Sequence, residues 1–228
     1  MQILAALLAL LALAGAAAAQ ELVSFPSEDG GVVYGDLYGA SERGVVLAHG
    51  GRFNKGSWEK QARVLAQAGF CVLSIDFRGY GKSRGPGDSQ PMGAPLHFDV
   101  LAAVHYLRKT GAKTVSVVGG SMGGGAAADA AIAAPGEIER LVLLGSEAGT
   151  GSVGPPEKLK GRKLFIVARD DTRGDGVVRL VRIRAQYEKT PEPKELVILD
   201  GSAHAQFIFE TDQSERLMRE ILRFLTAP

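Results

Sequence analysis

Five short apolar runs punctuate the chain: VLSI (72–75), VSVV (115–118), LVLL (141–144), LFIV (164–167) and LVIL (196–199). None alternates with polar residues, so each, if extended, must be covered on both faces, as strands inside a parallel sheet are. Parallel neighbours need crossovers of a dozen or more residues, and amphipathic stretches fill the intervals. SWEKQARVLAQAG (57–69) starts on Ser57 as an N-cap and stops at Gly69, and PLHFDVLAAVHYLRKTG (95–111) runs from Pro95 to Gly111. SMGGGAAADAAIAA follows VSVVGG directly, and further helices are expected at about 176–189 and 211–225. GVVLAHGG (44–51) adds a strand, while LVSFPS (22–27) and GVVYGDLYG (31–39) flank the turn signal EDGG as a hairpin. The expected fold is α/β: an open, mostly parallel sheet with helices on both faces and an N-terminal antiparallel hairpin.

Apolar residues make up 46% and charged residues 22% of the 228 positions, a globular composition. A formal net charge of +1 without a polybasic run gives no electrostatic reason to expect nucleic acid or an anionic membrane as partner. Residues 20–228 read as one domain, with no internal repeat or linker. Residues 1–19 read as a signal peptide: the chain is apolar from Ile3 to Ala19, and Ala17, Ala18 and Ala19 supply the small residues for cleavage before Gln20. Its n-region lacks Lys and Arg; the rival reading is a retained anchor, against which no basic cluster follows and no stable membrane insertion is expected. The expected location is secreted or periplasmic. Cys71 is the single cysteine, so no intramolecular disulfide can form, and its place in GFCVLSIDF reads as a small buried hydrophobe.

Chemistry in an open parallel sheet sits beyond the carboxyl ends of the strands. The loops there are AHGGRFN (48–54), GGSMGG (119–124), ARDDTRG (168–174) and DGSAHAQ (200–206). A phosphate-binding reading of the glycines fails. Gly81-Lys82-Ser83 has Asp76 where a Walker A loop needs glycine, and Gly123-x-Gly125-x-x-Ala128 lies inside a helix. Gly119-x-Ser121-x-Gly123 instead places a serine on a strand–turn–helix junction, where a nucleophile is exposed on a tight turn. A serine needs a base. His97 and His105 share a helix upstream and read as surface or packing residues, whereas His204 lies in a loop after a late strand, in the chain order Ser, Asp, His. Asp171 is the expected partner of His204, with Asp170, Asp175 and Glu147 as competing carboxylates at strand ends. The backbone N–H groups of Met122 and Gly51 are the expected oxyanion donors.

His49-Gly50-Gly51, DFRGYGKS (76–83), Gly119-x-Ser121-x-Gly123 and the late His204 come in the order and approximate spacing that resemble the α/β-hydrolase superfamily, from about residue 22 to 226. In that family the acid commonly follows a strand as Gly-x-x-Asp; Ala168-Arg169-Asp170-Asp171 matches with alanine for glycine, which favours Asp171. The resemblance also implies that Asp76–Ser83 shapes a loop beside the pocket. Many relatives carry a helical cap where this chain has only SEAGTGSVGPPEKLKG (146–161), so an open site is expected, similar to compact carboxylesterases and dienelactone-hydrolase-like proteins. The implied activity is hydrolysis of carboxylic esters, or thioesters, of a small-molecule substrate through an acyl-enzyme on Ser121, without metal or organic cofactor. The alternatives are a non-catalytic binding protein of the same fold, or a peptidase or acyltransferase using the same three residues. Arg52, Phe53 and Trp58 are expected near the entrance, with pocket walls drawn from 84–94 and 146–161.

Overall fold

A computed structural model describes residues 20–148 and 153–228; the signal-peptide reading of 1–19 lies outside the described residues. Eight strands form one sheet: β1 (Gln20–Pro26), β2 (Val32–Tyr38), β3 (Arg43–Ala48), β4 (Cys71–Asp76), β5 (Thr114–Gly120), β6 (Arg140–Leu144), β7 (Arg162–Ala168) and β8 (Lys194–Leu199). Their order is β1-β2-β4-β3-β5-β6-β7-β8. The β1/β2 and β2/β4 pairs are antiparallel and all others parallel, as expected of a hairpin leading into crossover units. The helices are α1 (Glu59–Gln67), α2 (His97–Lys109), α3 (Met122–Ala133), α4 (Arg179–Lys189) and α5 (Ser214–Thr226).

The unalternating runs have the reason anticipated for them. Along β3, Val46 and Ala48 face one apolar cluster with α2, α3 and α4, while Val45 and Leu47 face a second with α1 and α5. Successive side chains point to opposite faces of a strand, so a sheet covered twice needs apolar residues at every position. Cys71 is buried, and burial pushes its thiol up from the ordinary value.

Two local expectations are corrected. Ser57 does not cap the first helix: residues Lys55–Trp58 form a 3-10 turn capped by Asn54, whose side chain accepts from Gly56 N–H at 2.9 Å, and α1 starts at Glu59. Trp58 is not at the entrance. The turn rotates its ring into the core shared with α1 and α5, where it is 1% exposed and meets Phe209 edge-on.

One buried ionic hub ties the segments around the site together. Arg78, just after β4, is fully buried and reaches Asp99 on α2 at 2.7 Å, Asp29 in the β1–β2 turn, and the carbonyl of Pro86. Burial works against its charge, but the hydrogen bonds it donates to the Asp99 and Asp29 carboxylates outweigh that and push the guanidinium above its ordinary value.

Candidate active site

Ser121 occupies the sharp turn between β5 and α3, with φ of 50°, a left-handed conformation rare for a residue with a side chain. Its N–H donates to the Leu144 carbonyl at 2.9 Å, and its own carbonyl accepts from Gly124 and Gly125, so the turn is held on both sides. The flanking glycines are required by close approach. A Cβ at Gly119 would strike the Gly123 carbonyl, and one at Gly123 would strike the backbone carbonyls of Ala48 and His49. Hence α3 can press against the end of β3 only while position 123 carries no side chain.

Three loops bring the remaining groups to Ser121. His204 precedes a 3-10 turn (Ala205–Glu210), and its Nε2 lies 2.8 Å from Ser121 Oγ. Its Nδ1 lies 2.7 Å from Asp171 Oδ2, in the loop after β7. A proton on Nδ1 shared with the carboxylate leaves Nε2 as acceptor for the serine hydroxyl. Asp171 is 1% exposed, whereas Asp170 and Asp175 are exposed and Glu147 pairs with Arg173 at 2.7 Å. Among the four carboxylates open to the sequence reading, Asp171 is the one in contact with the imidazole. Its Oδ1 additionally accepts from Arg179 Nε at 3.2 Å, and its carbonyl from the Arg179 N–H at 2.8 Å.

The Gly51 N–H, one of the two expected oxyanion donors, is oriented by what holds the peptide between Gly50 and Gly51. The Gly50 carbonyl accepts from Phe53 N–H at 2.9 Å and from His49 Nδ1 at 2.8 Å. Because a trans peptide points C=O and N–H in opposite directions, fixing that oxygen turns the Gly51 N–H the other way. Neither Gly51 N–H nor Met122 N–H, at the start of α3, finds an acceptor among the described residues. The partial positive charge at the helix N-terminus adds to the Met122 donor.

His49, fully buried, is thus a framing residue. Phe77 N–H donates to its Nε2 at 3.3 Å, which requires the neutral ring. Burial pulls the His49 pKa below its ordinary value of 6.5, and burial does the same to His97. The sign follows. The unfolded chain takes up a proton near pH 6.5 and the folded chain does not, so stability is lost as pH falls below about 6.5, until the folded values are reached. Urea midpoints measured at pH 7.5 and 5.5 are expected to drop, with a shallower drop in His49→Gln; an equal slope in that variant defeats the assignment.

Two residues escape a sequence reading. Gln206 is buried; its Oε1 accepts from Gly50 N–H at 2.7 Å and its Nε2 donates to Ser57 Oγ at 2.9 Å, so it bolts the His204 loop to the oxyanion loop. Tyr80, inside the DFRGYGKS segment, donates its hydroxyl to the Gly51 carbonyl at 2.9 Å and stands edge-on to His49. Only the position of Gln206, two residues after His204, hints at its place.

Ser121 opens on a cavity of about 530 Å³. Met92, Ala94, Leu96, Met122, Ala126 and Val153 give it apolar walls, and Arg173, Arg179, Glu147, Asp129 and His97 are its charged or titratable groups. Both loops expected to supply walls do so. His97, expected to be surface or packing, lines the cavity at the start of α2; Phe53 instead packs on Phe207, and neither Phe53 nor Arg52 lines the cavity. Among the described residues, no group of three His, Cys, Asp or Glu could hold a metal ion, and no helix is long and apolar enough to cross a membrane.

With the site defined, comparison with known proteins gives consistent findings. The family model described as the alpha/beta hydrolase fold matches residues 44–185. A 2-hydroxy-6-oxononadienedioate/2-hydroxy-6-oxononatrienedioate hydrolase of Cupriavidus pinatubonensis is 33% identical over 130 residues, 56% of this chain and 44% of the relative. A putative non-heme chloroperoxidase of Synechocystis is 42% identical over 96 residues, 41% of this chain and 32% of the relative. The match thus spans less than half the length of either curated relative. Among solved structures, an esterase of Pyrococcus furiosus superposes with a TM-score of 0.76 at 21% identity, covering 91% of this chain and 92% of that one. A dienelactone hydrolase of Anabaena variabilis gives 0.75 at 21% identity, covering 92% and 97%. At that identity the likeness is one of fold.

Proposed function

The chain belongs to the alpha/beta hydrolase fold family, and from that premise we propose that it is a serine hydrolase cleaving carboxylic esters, with thioesters as close alternatives. The observation that carries the reading is the unbroken relay from Ser121 Oγ to His204 Nε2 at 2.8 Å and from His204 Nδ1 to Asp171 Oδ2 at 2.7 Å. Ser121 Oγ attacks the ester carbonyl carbon while His204 takes its proton. Asp171 holds the imidazole in the productive tautomer and stabilises the imidazolium. The negative oxygen of the tetrahedral intermediate is received by the N–H groups of Gly51 and Met122; each such donor is worth about 10²–10³ in rate. Collapse expels the alcohol, which takes the proton from His204. Water then repeats the sequence on the acyl-enzyme and releases the acid. The apolar run at residues 3–19 supports placing the enzyme outside the cytoplasm.

Intact-mass labelling with a fluorophosphonate tests the reading. One adduct on the wild type, mapped to Ser121 and missing from Ser121→Ala, is expected. A folded protein that takes no adduct at neutral pH moves the non-catalytic binding reading to the front. Product ratios that shift with added alcohol mark acyl transfer in place of hydrolysis.

A further inference from the structure

Arg179 does more than touch Asp171. Its side chain is 23% exposed, lines the same cavity as Ser121, and commits only Nε, to Asp171 Oδ1 at 3.2 Å. Among the described residues neither terminal amino group of Arg179 has an acceptor. Neither amino group is among the buried polar atoms that lack a partner, so both stand open to the cavity, where an incoming anion can accept from them. Asp171 takes neither of them: its Oδ1 accepts from Nε and its Oδ2 faces His204.

The other charges of the cavity are differently placed. Arg173 is turned to Glu147 at 2.7 Å, with Asp175 at 3.6 Å, so that cation and the Glu147 anion neutralise each other. Asp129 lies seven residues along α3 from Met122, about 10 Å at the helical rise. Arg179, although ion-paired with Asp171 through Nε, is therefore the cavity cation whose two terminal amino groups have no protein acceptor among the described residues, and the Nε contact orients them before any ligand arrives. A planar fork of this kind matches a carboxylate through two parallel hydrogen bonds, where an ammonium would offer a point charge.

We propose that Arg179 forms a carboxylate subsite, and that the preferred substrates are esters carrying a free carboxylate a few carbons from the scissile bond. This rests on the ester-hydrolase reading and adds the substrate's charge to it. The carboxylate sits on either the acid or the alcohol part, and the two arms of the test separate these sources. Monoethyl glutarate against ethyl pentanoate reports a charge on the acid part; 4-acetoxybutanoate against butyl acetate reports one on the alcohol part.

Within each protein the ratio of kcat/KM, charged over neutral, cancels damage common to both substrates, including any loosening of Asp171. The wild type is expected to favour the charged member of one pair by about tenfold or more, the scale of a charge-assisted hydrogen bond. Arg179→Gln is expected to bring that ratio to about one, and Arg179→Lys to leave it in between. A wild-type ratio at or below one in both pairs, or an unchanged ratio in Arg179→Gln, overturns the proposal.

A second measurement needs no turnover. Glutarate titrated by calorimetry into the Ser121→Ala protein is expected to bind saturably, and binding is expected to vanish when Arg179→Gln is added. No binding overturns the subsite even if esters are hydrolysed. Binding without a fluorophosphonate adduct on the wild type overturns the hydrolase reading and leaves the subsite standing.

Discussion

Replacing His204 by alanine is expected to lower kcat by about 10⁵–10⁶ with little change in stability. The rate loss follows from the relay. Without the imidazole, Ser121 Oγ has nothing within reach to take its proton, and removing the base of such a set costs nearly as much as removing the whole set. Stability should hold because the side chain is 27% exposed and its two contacts are polar ones within the site. Asp171→Asn should cost about 10⁴, for a reason specific to this chain. Both Asp171 oxygens accept, one from Arg179 and one from His204. An amide has one oxygen, so either Arg179 or the imidazole then faces an NH₂. With the NH₂ toward His204, the ring proton moves to Nε2 and the base is lost. Steady-state rates on a simple ester, with circular dichroism as the folding control, check both variants. A His204→Ala enzyme within a hundredfold of wild type would remove His204 from its assigned role.

The largest effect on stability is expected at the hub under the β1–β2 turn. Asp99→Ala leaves the Arg78 guanidinium fully buried without its principal counter-charge, and breaking one side of a buried pair costs about 3–5 kcal/mol. For a domain of this size that is a large part of the total stability and lowers Tm by roughly 10 °C. Replacing both partners, as Arg78→Met with Asp99→Leu, should recover part of the loss: the buried guanidinium goes, while Asp29 loses its partner and the residue-78 N–H loses the Asp99 oxygen that accepts from it. Urea unfolding of the three proteins measures this. A single variant within about 1 kcal/mol of wild type would show that Asp29 alone satisfies Arg78.

The strands were legible because double burial writes itself into composition: VSVV and LVLL have no polar face to confuse the reading, and both lie in strands. The junction at Ser121 was legible because a nucleophile on a tight turn demands small neighbours on both sides. The 3-10 turns at Pro91–Gly93, Pro156–Lys158 and Ala205–Glu210 were not, since three residues per turn leave no period to detect over so few positions. Choosing between Asp170 and Asp171 from residues alone was a question of one residue's phase in a loop. The backbone settles it: Asp170 N–H is drawn to the Gly201 carbonyl at 3.0 Å, leaving the next side chain to turn inward. Arg179 was hidden for the opposite reason. A helix reading RLVRIRAQYEK looks like a solvated basic face, and nothing in it announces that the first arginine leans back onto Asp171.

The helix that carries the nucleophile's turn is buried along almost its whole length, from Gly123 to Ile132, by glycines and alanines with Asp129 and Ile132 as the exceptions. Apart from Met122, Gly125, Ala126 and Asp129, which border the cavity, such a helix has no face to spare. On its packed side a larger side chain meets its neighbours: a Cβ at 123 would strike the Ala48 and His49 carbonyls, and one at 124 the Ser146 side chain. Heritable change in what the cavity accepts is thereby channelled away from the turn that holds Ser121. It falls instead on the 84–94 and 146–161 loops and the start of α4, where a new side chain alters the cavity without moving the serine. A library built to redirect the protein should randomise those three segments and leave 119–124 untouched.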